Sequence, residues 1–315
     1  MSSPMRAALV ECCGRPPVVG NVPRPLAGAG DVLLSVTCAP ITPLDLLCAT
    51  GTSYFGEPAL PYVPGVQGVG ITPAGERVWF PTSAGMAPGD GSMAEFCAVP
   101  SSDLVRLPEG CDDVTAAALG LSAVAAWLAL TWRARLEPGE KVVVLGAGGT
   151  VGQVALRAAR LLGAGDVVGV SRAPREGCIP LDPVPTLAAR LREVIGAADV
   201  VIDPVFGEPA EAALQVLAPG GRLVNLGGSA SDSAVLSSAG LRSRAVSVLG
   251  YSNNAVSREQ RAAALGAIFG HAARGELSVD HYVVGLDDVG AAWEGTRGGR
   301  AVVRLTEVPS AVGVP

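Results

Sequence analysis

Residues 141–162 constrain the fold more than any other stretch. Lys141-Val142-Val143-Val144-Leu145 is a short apolar run, and Gly146-Ala147-Gly148-Gly149-Thr150-Val151-Gly152 follows it at once. A helical pattern then occupies residues 153–162. Glycine at such places allows a tight turn and lets backbone N–H groups approach a phosphate. A loop of this kind on a helix N-terminus favours a pyrophosphate. The spacing is G-x-x-G-x-x-G through Gly146, Gly149 and Gly152, with Gly148 extra. An ordinary strand-to-helix turn can look similar, so the flanking units must decide.

Those flanks alternate. Residues 166–170, 199–203 and 222–226 read as further strands, with helical stretches at 186–195 and 209–217. Residues 245–250 read as the last strand and 257–274 as a long amphipathic helix. Continuous apolar strands separated by helices mean a parallel sheet covered on both faces, a doubly wound α/β domain of the Rossmann kind. The first hundred residues have another texture. Short strands at 6–10, 32–38, 66–71, 77–80 and 94–99 are broken by Pro and Gly, which suits an irregular antiparallel β domain. A short helix is expected to start with Thr42 as N-cap and Pro43 at its first position. Residues 278–306 return to strand and turn. Residues 1–115 and 276–315 are therefore expected to form one mostly β domain, and 116–275 the nucleotide domain.

A site for NAD would place Asp or Glu at the end of the second strand, to hold the ribose 2′-hydroxyl. Here that strand ends Val170-Ser171-Arg172-Ala173-Pro174-Arg175. A hydroxyl and two guanidinium groups suit a 2′-phosphate, so Ser171, Arg172 and Arg175 point to NADPH; the alternative is a pair of solvated loop arginines. Val205-Phe206-Gly207, Asn225-Leu226-Gly227-Gly228 and Gly250-Tyr251-Ser252-Asn253 fall at carboxyl ends of strands, where ligand crevices form in open α/β sheets.

Other classes are excluded by charge and composition. A net charge of −6 and a pI of about 5.1 give nucleic acid no broad basic surface. With 49% hydrophobic and 17% charged residues the chain is not disordered. Of the 23 basic residues only Lys141 is lysine, which reads as the codon bias of a GC-rich, bacterial genome. The 7 cysteines form no C-x-x-C pair, and His271 and His281, read as structural, lie far from them in sequence. Residues 114–132 carry no charge, a length that could span a membrane. The run is rich in alanine and lacks basic flanks before it, so a buried helix is expected instead. No export signal is read at the N-terminus, and reduced thiols fit a cytoplasmic protein.

With these residues in hand, the chain resembles the zinc-independent quinone oxidoreductases of the medium-chain dehydrogenase/reductase superfamily, nearly end to end. Ile41-Thr42-Pro43-Leu44-Asp45 is similar to the family's N-P-x-D segment, with Thr42 for Asn. Pro61-Tyr62-Val63-Pro64-Gly65-Val66-Gln67-Gly68-Val69-Gly70 resembles its P-x-x-P-G-x-E-x-x-G turn, with Gln67 for Glu. Gly75-Glu76-Arg77-Val78 resembles G-D-R-V, Leu121-Ser122-Ala123 resembles L-T-A, and Pro138-Gly139-Glu140 resembles the lead into the glycine loop. Gly298-Gly299-Arg300-Ala301-Val302-Val303 resembles G-K-x-V-V, with Arg for Lys. Zinc-dependent relatives need a Cys near position 40, a His after the P-G turn and a four-Cys lobe. Those places hold Thr42, Val66-Gln67 and a short loop at 86–91, so no metal is expected. Cys38 and Cys48 are read as buried thiols.

The resemblance implies a Rossmann domain joined to a GroES-like catalytic domain, and hydride transfer from NADPH to a quinone or to the C=C of an enone. The acceptor delocalises the incoming charge into its own carbonyl, which makes a metal dispensable. Tyr54 is the candidate proton donor, the alternatives being solvent or a plain cleft-lining role. Thr42 would approach the nicotinamide and substrate. Ser122 would lie beside the nicotinamide, or serve only as a helix hydroxyl. Gly146, Gly149, Thr150, Val151 and Gly152 would hold the pyrophosphate. Val205, Phe206, Asn225, Leu226, Gly227, Tyr251 and Ser252 would line the two halves of the cofactor. A homodimer through the edge strand 245–250 is expected. The alternatives are an enoyl reductase acting on a polyketide intermediate, with a carrier protein as partner, or an NADPH-binding protein without turnover.

Overall fold

The computed structural model describes residues 3–295 and 297–306; the end of the expected β domain, 307–315, lies outside them. In chain order the first elements are β1 (Pro4–Leu9), β2 (Val18–Pro23), β3 (Asp31–Pro40), α1 (Pro43–Ala49), β4 (Gln67–Ile71), β5 (Arg77–Pro81), β6 (Phe96–Pro100), β7 (Val105–Arg106) and α2 (Asp113–Leu128). There follow β8 (Val142–Val144), α3 (Thr150–Leu161), β9 (Val167–Ser171), β10 (Cys178–Pro180), α4 (Val184–Ile195), β11 (Ala198–Asp203), α5 (Glu208–Leu214) and β12 (Leu217–Asn225). The chain ends with α6 (Ser238–Arg244), β13 (Ser247–Gly250), α7 (Arg258–Ala273), β14 (His281–Gly285), α8 (Val289–Trp293) and β15 (Arg300–Arg304). Two compact units result: the described parts of Met1–Gly120, Phe269–Arg274 and Val279–Pro315, and then Leu121–Ile268 with Gly275–Ser278.

The first unit is mostly β. Its sheet runs β14-β15-β3-β4-β5-β7, with β6 also on β3. β3 is ten residues long, so one edge serves two partners: Asp31–Ser35 pair with β6, and Cys38–Pro40 pair with β15. In this way the C-terminal strands enter the sheet of the N-terminal residues. β1 and β2 make an antiparallel pair beside it, linked by the bridge Ala7–Ala94. The core holds Met5, Ala39, Tyr62, Met93, Trp293 and Val303. This is the GroES-like body.

The second unit holds a six-stranded, wholly parallel sheet in the order β10-β9-β8-β11-β12-β13. Counted within the sheet, that is 3-2-1-4-5-6, the dinucleotide-binding order, with its switch point between β8 and β11. The three valines of β8 are buried on both faces, as a central parallel strand requires. Leu187, Leu191 and Ile195 of α4 pack into the same core as Val143, Val201 and Leu223.

The structure revises several boundaries. β10 was not expected: three residues ending in Pro180 make no apolar run, and proline is tolerated there because the strand is an edge. β2 was likewise missed. The stretch 209–217 is helical only to Leu214, because Leu217 already pairs with Ala198 ahead of a register shift. α3 begins at Thr150, since Gly149 is its N-cap in extended conformation. The apolar run at 114–132 is helical and breaks at Gly120 (φ 33°, ψ −133°). The helical stretch Asp113–Ala134 is the one segment among the described residues long and apolar enough to cross a membrane, and 72% of its most apolar window is buried.

Candidate functional site

The glycine loop leaves the carboxyl end of β8 and closes on itself. Gly146 adopts φ +63°, a left-handed conformation that suits glycine. Its carbonyl accepts the Gly149 N–H at 3.0 Å, which turns the chain into α3. A Cβ on Gly152 would stand 2.2 Å from that same carbonyl oxygen, so only glycine lets the helix seat against the loop. The Gln153 side chain, unremarked in the sequence, donates to the Gly148 carbonyl at 3.0 Å and braces the loop from inside the helix. Thr150 and Val151 are half-buried in the first turn of α3.

The end of β9 lies next to this loop. A Cβ on Gly148 would come within 3.1 Å of the Ser171 hydroxyl. Ser171, Arg172, Arg175, Glu176, Cys178 and Ile179 are among the residues that line a pocket of about 370 Å³ between the end of β9 and β10. Ser171 is buried, Arg175 half-buried and Arg172 exposed. Glu176 is an exposed carboxylate in the turn beyond the arginines.

On the other side of the switch point, Asp203 closes β11 fully buried. Its Oδ1 accepts the N–H groups of Val205 at 3.0 Å and Phe206 at 2.8 Å. Burial pushes its carboxyl above the usual aspartate range, against the pull of these hydrogen bonds and of Asn225. Asn225 Nδ2 donates to the Gly227 carbonyl at 2.9 Å, and Leu226 N–H donates to the Asp203 carbonyl at 2.8 Å. Tyr251 N–H donates to the Asn225 carbonyl at 2.8 Å, and the Tyr251 hydroxyl donates to Asn253 Oδ1 at 2.7 Å. Asn253 Nδ2 then donates to the Leu121 carbonyl at 3.2 Å. Polar contacts thus lace the ends of β11, β12 and β13 to the segment carrying Ser122. Ser252 caps its own short turn through Asn254. Asp203 and Asn253 were both missed as organisers; an Asp ending an apolar strand was the available signal.

In the first unit, Thr42 is the N-cap of α1 in a capping box with Asp45. Asp45 Oδ2 accepts the Thr42 hydroxyl at 2.6 Å and its N–H at 2.8 Å, while Oδ1 accepts the N–H groups of Gly65 and Val66. One buried carboxylate therefore ties Thr42 to the Pro64-Gly65 turn. Burial raises the Asp45 carboxyl, and the hydrogen bonds from Thr42, Val66 and Gly65 act against that rise. Gln67 Nε2 donates to the Ala117 carbonyl at 3.3 Å, and a Cβ on Gly120 would stand 2.2 Å from Gln67 Oε1. The side chain of Gln67 thus fills the break in α2. Tyr54 is 75% exposed, on a turn, with its ring against Phe55 at a centroid distance of 4.2 Å. His271 is in hydrogen-bond contact with Arg274, and His281 with the Val279 carbonyl.

A catalytic zinc needs three protein ligands converging on one point. Among the described residues no group of three or more His, Cys, Asp or Glu side chains could hold a metal ion. The donor set does not fit that metal.

The family model described as zinc-binding dehydrogenase matches residues 150–268. A zinc-type alcohol dehydrogenase-like protein of Schizosaccharomyces pombe is 33% identical over 216 residues, which are 65% of this chain and 64% of that protein. A mycocerosic acid synthase-like polyketide synthase of Mycolicibacterium smegmatis is 28% identical over 218 residues, 65% of this chain and 10% of the synthase. The chain thus spans less than two thirds of these curated relatives. The quinone oxidoreductase of Thermus thermophilus, whose crystal structures include a complex with NADPH, is 30% identical, with a TM-score of 0.81 over 96% of this chain and 100% of that one. The fold is a Rossmann domain with a GroES-like body. The chain belongs to the medium-chain dehydrogenase/reductase superfamily and is quinone oxidoreductase-like within it.

Proposed function

We propose that the chain is an NADPH-dependent reductase that delivers a hydride to a quinone, or to the C=C of an enone, without a metal. The observation that carries this reading is the pocket at the end of β9, lined by Ser171, Arg172 and Arg175 and set beside the glycine loop. The fit to a dinucleotide phosphate rests on two features. Glycine at 152 lets the first turn of α3 seat directly on the loop, which sets its N–H groups at the loop's mouth. The end of β9 offers a hydroxyl and guanidinium groups where an NAD site would have a carboxylate, Glu176 of the same pocket lying in the turn beyond them.

When bound, NADPH supplies the hydride. The chain's part is to hold and orient. Thr150, Val151 and Gly152 would hold the pyrophosphate through the backbone N–H groups of the first turn of α3, Gly146 and Gly149 would shape the loop that lets it approach, and Arg172 and Arg175 would neutralise the 2′-phosphate. Val205, Phe206, Asn225, Leu226, Gly227, Tyr251 and Ser252 shape the crevice at the strand ends, and Ser122 lies on the segment fastened to Asn253. The Thr42 hydroxyl donates its hydrogen bond to Asp45 and accepts the Asp45 N–H, so it would meet a ligand as an acceptor through its remaining lone pair. Protonation of the reduced acceptor falls to Tyr54, whose exposed hydroxyl exchanges freely with water, or to solvent directly. The protein acts as a homodimer in the cytoplasm, pairing through β13.

The polyketide synthase likeness favours a second reading, an enoyl reductase acting on a carrier-bound intermediate. Steady-state rates with NADPH on small quinones, free enones and enoyl thioesters test both. Turnover of quinones and enones supports the first reading, and thioester preference by more than about tenfold replaces it with the second. NADPH binding without turnover on any acceptor contradicts both and returns a binding protein.

A further inference from the structure

Asp203 carries a role that its position alone does not announce. It is fully buried at the carboxyl end of β11, and its side chain is hydrogen-bonded by two N–H groups of its own loop and by the Asn225 amide. A buried carboxylate costs free energy unless its hydrogen bonds need it there. The loop it holds is unusual. Phe206 (φ +56°) and Gly207 (φ +65°) are both left-handed, and for phenylalanine that conformation is unfavourable without an anchor. Both anchors, to Val205 and Phe206, end on one oxygen of Asp203.

The held residue reaches the phosphate loop. A Cβ on Gly146 would stand 2.8 Å from Val205 Cγ1 and 3.4 Å from Pro204 Cγ. The floor under the first glycine is therefore the loop that Asp203 fixes. On its other flank, a Cβ on Gly227 would come within 3.2 Å of the Pro204 carbonyl, and Asn225 Nδ2 lies 3.4 Å from Asp203 Oδ2. Asp203 thus stands between the glycine loop after β8 and the Asn225-Leu226-Gly227 loop after β12.

We propose that Asp203 is the positioning residue of the dinucleotide site, setting the glycine loop through Val205 and the Asn225 loop through the shared contact with Pro204 and Asn225. It touches no cofactor atom in this scheme and acts through the two loops. The inference rests on the dinucleotide reading above, and its experiment separates the two.

The test is NADPH binding by protein fluorescence, well below each variant's melting temperature. Asp203→Ala removes both acceptors, Asp203→Asn retains Oδ1, and Leu191→Ala is a core lesion in α4, distant in sequence from both loops. Losing the paired hydrogen bonds should raise Kd for NADPH about tenfold to a hundredfold in Asp203→Ala. The smaller effect of Asp203→Asn should amount to about threefold or more, and Leu191→Ala, despite a lowered melting temperature, should stay within about twofold of wild type. A Kd for Asp203→Ala within about threefold of wild type overturns the proposal, as does an equal weakening by Leu191→Ala. If Asp203→Ala does not fold, Asp203→Asn decides by the same threefold line. Wild-type protein that binds neither NADPH nor NADH contradicts the dinucleotide reading itself.

Discussion

Gly152 presses on Gly146: a Cβ at position 152 would stand 2.2 Å from the Gly146 carbonyl oxygen. That oxygen also accepts the Gly149 N–H, so it cannot swing away without opening the turn. Gly152→Ala should therefore cost about 1–3 kcal/mol of stability through overpacking. Gly149→Ala, with φ −78° and its nearest contact at 3.5 Å, should cost less, about 0.5–1 kcal/mol from the poorer N-cap alone. Thermal melts of the two variants check this, and equal melting temperatures would contradict it.

The same contact shows how far the sequence could be read. Spacing in 146–152 pointed to a tight strand–loop–helix, because glycines at those intervals have few other uses beside a valine run. The parallel strands were legible for the same reason, being apolar on both faces. β10 was not, because an edge strand of three residues leaves no pattern, yet it forms one wall of the pocket beside Arg172. Neither was Asp203, whose importance depends on a left-handed Phe206 that no periodicity reveals. Thr42 was legible as a helix cap but not as one end of the Asp45 link to Gly65 and Val66.

Glu140 and Arg222 form a bidentate pair at 2.5 and 2.6 Å, with the arginine side chain 16% and the glutamate 21% exposed. Burial pulls the Glu140 carboxyl upward, but hydrogen bonds from Arg222 and the Glu137 N–H, with the Arg222 charge, outweigh it and hold the group below the usual glutamate range. A carboxyl depressed in the fold stabilises above its unfolded value and loses that contribution as pH falls through the folded one. Glu140→Gln should thus lower the melting temperature at pH 7, with a loss of about 1–3 kcal/mol in stability, and the gap should close as the pH falls below the usual glutamate range. A gap independent of pH would refute the assignment.

β13 is an edge with Val248 38% exposed. Apolar edges invite strand pairing, so sedimentation should give a dimer. Adding a charge by Val248→Lys should shift it to monomer. A concentration-independent 31.6 kDa species for the wild type would exclude pairing through this edge.

Without a convergent donor set for zinc among the described residues, reductase activity should survive prolonged chelation unchanged. Activity lost to chelator and restored by zinc would overturn the metal-free mechanism.

The central claim is that the pocket beside the glycine loop takes a 2′-phosphate. Parallel fluorescence titrations with NADPH and NADH, for wild type and Arg172→Ala, test it most directly. Each charge-assisted hydrogen bond to the phosphate is worth about 1.5–3 kcal/mol, or about tenfold to a hundredfold in affinity. Wild type should bind NADPH tighter than NADH by at least that factor, and the advantage should shrink at high salt because Arg172 is exposed. Arg172→Ala should weaken NADPH and leave NADH nearly unchanged. Equal affinity of the wild type for both cofactors would contradict the assignment.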